Sequence, residues 1–502
     1  MHFALRKPVA VGTPGTASQA SINVDSVDGV PLLWIDAPPP YYVFLMVRVG
    51  RADEELTNSG ITHLVEHLAF PHDHSTDSSS NGATALSNTL FYAWGNPADS
   101  ADFIGRIAST LTRLPLDRID QQRSIILTEE EAGGGGAAAE LLTERYGAQR
   151  HGVVGFRQLG LHRIGSTDVA EWSRRYFNAD NAILCATGPP TGHLALQLPP
   201  GERRPVPLAT PVEGPLPRWT PQAVGQIALG VLTGHEPAAG TAHRILERRL
   251  FSRLRHSLAL SYSVQSATQT IDPLTLHRVT VADTKQETAA DVTRHVVEMA
   301  EELADHGPTR EELLDDLDVL ERQLRDDPRA IGGWMMHAAE CYLNGIEVEE
   351  LEDYLEARNL LTPVEVRDAW AKAYSTAILV VPPWVEIAPE RMAHRTWATD
   401  QAATAKGVTF HPPGMARLRG GARTTVGAEA VSVSTSDQRP RTIRFDRTAA
   451  LVRSGPLART LIDLDGSALS IDAAQFGNSR ELIARLDNKI PPGKWIDVPP
   501  RV

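Results

Sequence analysis

Hydrophobic residues in the first two hundred positions switch repeatedly between strict alternation and a spacing of three and four residues, which predicts strands and amphipathic helices in turn. Asp28-Gly29 and the prolines at 38 to 40 separate the first strands. Helical spacing starts at Ile61 and returns at Phe103. The pattern predicts strands over 21–27, 31–35, 41–49, 89–94 and 182–186, and helices over 61–70, 103–114, 116–131 and 167–175.

The same order of elements returns after a stretch rich in proline and charge. This stretch, 201–221, has the composition of a linker. A helix ending at Tyr374 leads into an apolar run at 377–379, as a helix ending at Tyr176 leads into the run at 182–184. The chain is therefore predicted to contain an internal duplication. The second copy is predicted to have strands over 227–232, 262–268 and 275–281, and helices over 242–254, 287–305, 310–325 and 362–374.

The last hundred residues form short alternating runs without a long helix. Strands are predicted over 424–435, 441–445, 449–453, 459–462 and 468–471, with a closing helix over 479–486. The predicted fold class is α+β, with homologous α/β repeats over 1–200 and 222–400 and a small β-rich C-terminal domain over 401–502. We expect a pleckstrin-homology-like shape for this last domain, which carries no catalytic constellation.

Charge and composition indicate which partners and which cellular location to expect. The 62 acidic residues outnumber the 49 basic ones and no basic run occurs, so nucleic acid is not expected as a partner. The N-terminus shows no secretion signal and no apolar run approaches a membrane span, so a cytoplasmic location without membrane attachment is expected. Cys185 and Cys341 stand far apart in apolar contexts, as expected of buried free thiols.

One predicted helix combines an apolar face with a possible metal site. Its apolar positions 61, 64, 65 and 68 form one stripe, and His63, Glu66 and His67 form another. Two imidazoles one turn apart can hold a single cation, and a carboxylate between them can reach a water on that cation. The order H-x-x-E-H is that of the inverzincins. The alternative is a helix that exposes these three side chains to solvent.

Three further stretches accompany this motif in a fixed order along the chain. They are an apolar run ending in an acidic residue, Ser124-Ile125-Ile126-Leu127-Thr128-Glu129, a short polar segment, Asn81-Gly82-Ala83-Thr84, and the pair Arg255 and Tyr262, seven positions apart. Together with the motif they resemble the M16 peptidase family, which includes pitrilysin, insulin-degrading enzyme and the mitochondrial processing peptidase. The resemblance extends over residues 20–395.

The resemblance implies a zinc-dependent endopeptidase that hydrolyses peptides in an enclosed chamber. It implies that His63, His67 and Glu129 bind Zn²⁺ and that Glu66 is the general base. Arg255 and Tyr262 would orient the substrate and help to stabilise the oxyanion. The edge strand that pairs with the peptide substrate would consist of Asn81, Gly82, Ala83 and Thr84. Processing of a precursor or leader peptide and general oligopeptide turnover are both compatible with this activity.

Several features depart from the family pattern. Glu129 follows His67 by 62 positions, which is shorter than the family habit, and the shortening falls between 70 and 81. Gln122 stands where the family has an acidic residue, and the glycine run 133–136 follows the third ligand closely. These departures keep open an alternative function, a non-catalytic or weakly active peptide-binding subunit of a heterodimer.

The identity of the third ligand rests on helical phase. Glu129, Glu130 and Glu131 are consecutive, and only one of them can share the inward face. We expect Ile125 and Ile126 to be buried, which places Glu129 on that face and turns the next two glutamates away.

The second repeat has a counterpart of the motif without its ligands. Aligning the phenylalanines that close the two helices sets Arg244 against His63 and Arg248 against His67, so the second copy is expected to bind no metal. The other histidines near these helices, His72, His74 and His243, are expected at the surface. The four-glycine run lacks the Lys and Ser/Thr of a phosphate-binding loop.

The number of repeats suggests a second chain. In the long M16 relatives four repeats enclose the chamber, and this chain has two. The resemblance therefore implies a homodimer, or a heterodimer with another M16-like chain, in which Arg255 and Tyr262 serve the zinc of the partner.

Overall fold

The computed structural model describes residues 21–71, 79–133, 136–189, 194–387, 389–414, 422–435 and 439–500. His72 and His74, on which the sequence analysis placed a solvated loop, lie outside these ranges, as do the two central glycines of the 133–136 run. Within these ranges no helix combines the length and the apolarity that a bilayer span requires.

The first repeat is a six-stranded sheet with helices on its faces. Its strands, in spatial order β1-β2-β6-β3-β5-β4, place β4 at one edge. Strand β6 runs parallel to β2 and antiparallel to β3. The elements are β1 Asn23–Val27, β2 Val30–Trp34, β3 Tyr41–Val47, α1 Ile61–Ala69, β4 Ser80–Thr84, β5 Thr89–Gly95, α2 Pro97–Thr112, α3 Ile119–Ala132, α4 Gly136–Tyr146, α5 Ser166–Tyr176 and β6 Ala182–Ala186.

The second repeat has the same sheet order in five of its six strands. Its strands follow the order β12-β7-β11-β8-β10-β9, with β11 parallel to β7 and antiparallel to β8. The elements are β7 Arg218–Pro221, β8 Gln226–Thr233, α6 Pro237–Phe251, β9 Val264–Asp272, β10 Thr275–Asp283, α7 Ala289–His306, α8 Arg310–Asp326, α9 Pro328–Leu343, α10 Leu351–Asn359, α11 Pro363–Tyr374, β11 Ile378–Val381 and β12 Ala393–His394. The match in order and direction of the five strands β7 to β11 with β2 to β6 confirms the predicted duplication. The sixth strand differs, because β1 begins its repeat and runs antiparallel to β2, whereas β12 ends its repeat and runs parallel to β7.

The C-terminal domain consists of two four-stranded sheets and one longer helix around a shared apolar core. The elements from here to the end are α12 Ala398–Gln401, β13 Gly407–Phe410, β14 Arg423–Gly427, β15 Ala430–Ser434, β16 Arg441–Arg444, β17 Thr448–Ser454, β18 Ala458–Asp463, β19 Ala468–Asp472, α13 Ser479–Asp487 and β20 Trp495–Val498. The β-rich domain is thus confirmed, and its pleckstrin-homology-like shape stays a prediction.

The structure corrects three details of the sequence prediction. The predicted linker ends in a strand, β7, which pairs with β11 inside the second sheet. The single predicted strand 424–435 is a hairpin of β14 and β15. Tyr262 was placed in a strand, but β9 begins two residues later, at Val264, and leaves the tyrosine on the preceding loop.

Strand β3 shows why the first sheet is buried on both faces. Val43, Leu45 and Val47 pack with the helices of the first repeat. Phe44 and Met46 point to the opposite face and pack with residues of α8, α9 and α10. Successive side chains of a strand alternate between faces, so an unbroken apolar run is what a sheet covered on both sides requires. Helices of the second repeat therefore cover the sheet that positions the candidate site.

Candidate metal centre

Helix α1 is fixed in place by its apolar face and by a buried carboxylate at its start. The side chains at the four apolar positions of the sequence pattern, 61, 64, 65 and 68, are at most 2% exposed. Glu54 accepts hydrogen bonds from the backbone nitrogens of Gly60 and Thr62, both at 2.9 Å. A carboxylate at a helix N-terminus satisfies free N–H groups and matches the positive end of the helix dipole. Sequence analysis missed this role of Glu54, which is six residues from the helix.

Three metal-binding side chains converge at α1 and α3. The ligand atoms of His63, His67 and Glu129 lie within 4.8 Å of one another. The Nε2 atoms of His63 and His67 are 3.1 Å apart. Glu129 Oε2 is 3.8 Å from the Nε2 atom of His63 and 3.5 Å from the Nε2 atom of His67. Tetrahedral ligands at about 2.1 Å from a zinc ion are separated by about 3.4 Å, so this donor set fits Zn²⁺.

Both imidazoles are oriented by side-chain amides. His63 Nδ1 lies 3.1 Å from Oε1 of Gln158, and His67 Nδ1 lies 3.2 Å from Oε1 of Gln122. An amide oxygen accepts from Nδ1–H, which leaves the lone pair of each Nε2 directed at the other. Two such lone pairs repel unless a cation or a proton lies between them. Metal-binding histidines are held in this way by outer-shell acceptors.

Of the two glutamines that orient the imidazoles, the sequence analysis pointed to one and missed the other. Gln122 occupies the position where the M16 resemblance led us to expect an acidic residue, and it still makes the expected contact to His67. Gln158 was missed, because it lies on a loop 95 residues from His63 and belongs to no periodic pattern.

Burial changes the pKa values of the two histidines and of Glu66. Burial lowers the pKa of His63 to about 4 and also lowers the pKa of His67, so both rings are neutral at pH 7. Neutral imidazole is the form that binds a metal. Burial, and then the charge of Glu129, raise the pKa of Glu66 to about 8. A divalent cation beside Glu66 would oppose this shift, since it favours the carboxylate.

Glu66 lies beside the three ligands and under the edge strand β4. Its Oε2 is 3.7 Å from Nε2 of His63 and 3.9 Å from Nε2 of His67. A Cβ atom added to Gly82 would fall far inside van der Waals contact with Glu66 Oε1. Glycine at this position therefore allows the backbone of β4 to pass directly over the carboxylate.

The edge strand contains the four residues that the sequence analysis assigned to substrate binding. Asn81, Gly82, Ala83 and Thr84 pair antiparallel with β5 on one side. In the described part of the chain no strand pairs with the other side of β4. Asn81 and Ala83 are exposed, so this free edge is accessible to an extended peptide.

A cavity of about 730 Å³ opens beside the centre. Its wall combines residues of both repeats, including His63, Thr84, Glu129, Glu140, Arg157 and Gly225. Arg255 and Tyr262 are not part of this wall. The cavity has the size of a pocket for a small ligand or a short peptide segment.

The structure brings Arg255 and Tyr262 to each other and not to the ligands of the same chain. Arg255 donates a hydrogen bond to the backbone carbonyl of Tyr262, and its guanidinium lies 4.4 Å from the centre of the tyrosine ring. The tyrosine is 77% exposed. Tyr262 therefore does not pack in the core of its own repeat.

Helix α3 places Glu129 at the two histidines, as helical phase predicts, but its side chain is 52% exposed and one supporting expectation was wrong. Ile126 is fully buried and shares a stripe with Gln122, four residues before it, and Glu129, three residues after it. Ile125 is 39% exposed, contrary to the expectation of burial. It lies about 100° around the helix from Ile126, on the side that faces solvent.

The neighbouring glutamates have other environments. Glu130 accepts hydrogen bonds from Arg157 Nε at 3.0 Å and from the backbone nitrogen of Gln158 at 2.5 Å. The side chain of Glu131 is 74% exposed, with Arg157 4.0 Å away. Neither joins the cluster formed by His63, His67 and Glu129.

We predict that Glu129→Ala abolishes stoichiometric zinc binding, because it removes one of three protein ligands. Glu130→Ala is the matched control, and it is expected to weaken zinc binding by about 10-fold at most, since it only loosens the loop that holds Gln158. Equilibrium dialysis with elemental analysis measures both. Equal loss of zinc in the two variants would show that Glu129 is not the ligand.

The second repeat replaces the metal-binding arrangement by an ion cluster. Arg244 and Arg248, the counterparts of His63 and His67, both contact Asp316 on α8 at 2.6 Å. Asp316 is 2% exposed. A carboxylate between two guanidinium groups thus occupies the region of the second copy that corresponds to His63 and His67 in the first.

Asp316→Asn is expected to destabilise the protein by about 3 kcal/mol, the low end for a broken buried ion pair, because both arginines retain partial contact with solvent. The neighbouring Asp315 is exposed, and Asp315→Asn should change stability by less than about 0.5 kcal/mol. Urea unfolding followed by circular dichroism compares the two variants. Equal unfolding midpoints would contradict the importance of this cluster.

The placement of His243 was predicted wrongly. It is 4% exposed, and its Nε2 lies 3.1 Å from the hydroxyl of Thr280. Burial lowers its pKa to about 3, so the ring is neutral. A neutral histidine with a hydroxyl partner is tolerated in a core, and residue type alone does not reveal that partner.

Comparisons with known proteins agree with this description of the fold. No protein-family model and no curated protein sequence matches the chain. A protease from Helicobacter pylori superposes with a TM-score of 0.59 and 15% identity, covering 72% of this chain and 99% of that protein. The peptidase M16 inactive domain from Pseudomonas fluorescens superposes with a TM-score of 0.58 and 16% identity, covering 75% of this chain and 99% of that domain. A putative M16-like peptidase from Alicyclobacillus acidocaldarius superposes with a TM-score of 0.55 and 15% identity, covering 74% of this chain and 100% of that protein.

These likenesses extend over about three quarters of the chain. At such low identity they establish the fold, and the chain therefore has the M16 peptidase fold in its two repeats. Because one neighbour is described as an inactive domain, fold alone does not decide between peptidase activity and peptide binding.

Proposed function

We propose that this protein is a zinc-dependent endopeptidase that hydrolyses peptides. The observation that carries the proposal is the donor set on α1 and α3, with the ligand atoms of His63, His67 and Glu129 within 4.8 Å of one another. Glu66 lies next to this set, under a free strand edge. A zinc ion held by these residues would supply a water of lowered pKa and would polarise the scissile carbonyl.

Glu66 has the position and the chemistry of a general base. It accepts the proton of the attacking water as the water oxygen bonds to the carbonyl carbon. It then passes this proton to the leaving nitrogen as the peptide bond breaks. Burial under β4 favours the protonated form of Glu66, and a zinc ion beside it would favour the carboxylate, so the group can both accept and release a proton.

Strand β4 aligns the substrate. An extended peptide would add to its free edge and form main-chain hydrogen bonds, which recognise the backbone more than the side chains. The peptide would then cross the cavity beside His63 with a carbonyl close to Glu66. This binding mode suits unstructured peptides, including a precursor or leader segment.

The remaining catalytic groups come from a second chain in this proposal. The Tyr262 hydroxyl and the Arg255 guanidinium would stabilise the oxyanion, which requires donors close to the reacting carbonyl. Within one chain Tyr262 is exposed, Arg255 is partly buried, and neither residue is part of the wall of the cavity beside His63. A twofold homodimer would bring the pair of each chain to the zinc centre of its partner and enclose the chamber.

We predict that two inactive variants restore activity when mixed. Tyr262→Phe should lower activity by about 10²–10³-fold, because it removes an oxyanion donor. Glu66→Gln lacks the base. Random exchange makes half of the dimers mixed, and each mixed dimer has one complete site, so about a quarter of wild-type activity is expected. A mixture that exchanges chains and stays inactive would show that the site is built within one chain.

Digestion of a pool of unstructured peptides, followed by mass spectrometry, tests the proposed function. Cleavage by the wild type and none by His67→Ala is the expected result. Peptides that bind without being cut would overturn the endopeptidase proposal and favour the alternative, a peptide-binding subunit that needs another M16-like chain. Size measurement of the protein alone separates a homodimer from a heterodimer subunit.

A further inference from the structure

A second cluster of metal-binding side chains lies far along the chain from the first. His235 follows strand β8, and His337 and Cys341 stand one turn apart on α9. Their ligand atoms lie within 4.8 Å of one another, and His337 Nε2 is 3.7 Å from Cys341 Sγ. Zinc holds sulfur at about 2.3 Å and nitrogen at about 2.0 Å, so small rotations of these side chains bring all three donors onto one ion.

His235 has a ring nitrogen that could bind a metal ion. Its ring donates a hydrogen bond to the backbone carbonyl of Pro273. Its Nε2 atom is buried and has no hydrogen-bond partner among the described residues. With the proton on Nδ1, this Nε2 is an acceptor lone pair without a donor, and burial of such a group is unfavourable. A backbone carbonyl on the opposite nitrogen is also the usual way in which a metal-binding histidine is oriented.

The surrounding charges favour a cation overall. The three residues line a cavity of about 520 Å³ whose wall also contains Glu347, Glu349, Glu350, Asp353 and Arg358. Glu349 lies close enough to act on the Cys341 thiol electrostatically. Four carboxylates against one guanidinium leave the cavity wall negative, while Arg278 outside this wall also acts electrostatically on both histidines. A carboxylate or water can complete a tetrahedral set of two nitrogens and one sulfur.

The cluster lies where the two repeats meet. Helix α9 belongs to the second half of the chain but packs on the sheet of the first repeat through residues such as Trp334 and Met335. His235 belongs to the sheet of the second repeat, at the end of β8. Next to Cys341, Glu340 accepts hydrogen bonds from Asn88 of the first repeat and Thr270 of the second.

We propose that His235, His337 and Cys341 form a second metal site, which takes a thiophilic divalent cation such as Zn²⁺ and joins the two repeats. The soft sulfur donor selects this class of ion over Mg²⁺ or Ca²⁺. Because α9 packs on the sheet of the first repeat while His235 follows a strand of the second sheet, the bound ion stabilises the junction of the repeats and performs no catalysis. This site is independent of the proposed zinc centre, which contains no sulfur.

Cobalt substitution tests the proposal, because Co²⁺ bound to a thiolate gives a near-ultraviolet charge-transfer band that histidine and carboxylate ligands do not give. Metal-free full-length protein is titrated with Co²⁺ in the absence of oxygen. We expect one equivalent of the sulfur band, unchanged in His67→Ala. Cys341→Ser should abolish the band, while Cys185→Ser, the matched control at the other buried cysteine, should retain it.

His235→Ala provides a second readout that does not alter α9. It should weaken the Co²⁺ binding followed by the sulfur band by at least about 10-fold, because it removes one ligand. The fold is expected to survive this change, since His235 is partly exposed on a loop. Absence of the band in the wild type, or a band unaffected by either Cys341→Ser or His235→Ala, would overturn the proposal.

Discussion

Glu66→Gln is expected to lower the rate of peptide hydrolysis by about 10²–10⁴-fold, the usual contribution of a general base, while zinc binding remains. Glutamine has nearly the same shape, so the packing under β4 is retained. The amide cannot accept the proton of the attacking water. The side chain is 5% exposed, and bulk water is therefore poorly placed to replace it as the base. Initial cleavage rates and zinc content measured on the same preparation test the prediction.

A second glutamate provides the matched control for this substitution. Glu131 lies close by on α3, but its side chain is 74% exposed. Glu131→Gln should cleave peptides at the wild-type rate. Activity of Glu66→Gln within tenfold of the wild type would remove Glu66 from its role as base. Loss of zinc in Glu66→Gln would instead assign it to metal binding.

Gly82→Ala is expected to lower activity by about 10²-fold without unfolding the protein. The added Cβ overlaps Glu66 Oε1, the flexible end of a side chain, so the carboxylate rotates away and the strand remains. A displacement of about 1 Å at a reacting group costs a factor of this size. Phe70 Cε2 would also lie 3.1 Å from the new Cβ, so little free space remains there. Cleavage rate and the thermal unfolding midpoint are the two measurements.

The control is an alanine at a glycine with open surroundings. Gly133 lines the same cavity, and an added Cβ there meets nothing within 4 Å. Gly133→Ala should retain wild-type activity and zinc binding. If Gly82→Ala is as active as Gly133→Ala, the backbone of β4 does not hold Glu66 in place.

Local spacing in the sequence predicted that the rings of His63 and His67 lie side by side, as the structure places them. The interval between His63 and His67 is one helical turn, and an amphipathic helix leaves only one way to place both rings. The duplication was also visible, because apolar strands and the helices before them recur in the same order. These features depend on residues that are close in the sequence.

Features that depend on distant residues could not be predicted in this way. Gln158 contacts His63 across 95 positions, and the overlap of Gly82 with Glu66 depends on how β4 crosses α1. Helix α9 was missed because Gly332 and Gly333 lower its intrinsic helix propensity, and burial between the repeats stabilises it instead.

Helix α4 was missed for a different reason. Glu144 and Arg145 are buried, although charged residues usually indicate a solvated face. The Glu144 carboxylate lies 3.4 Å from Arg395, and Arg145 donates a hydrogen bond to the carbonyl of Thr376 at 2.8 Å. Partners more than two hundred residues away therefore make a helix with buried charges stable, and no local pattern contains that information.

The most direct test of zinc-dependent hydrolysis is a titration of metal-free protein with Zn²⁺, with peptide cleavage as the readout. Cys341→Ser serves as the starting protein, so that the proposed second site takes up no metal. We predict that activity rises in proportion to added zinc and reaches its plateau at one equivalent per chain. Full cleavage before zinc is added, or none at saturating zinc with the centre occupied, would contradict the assignment of this protein as a zinc endopeptidase.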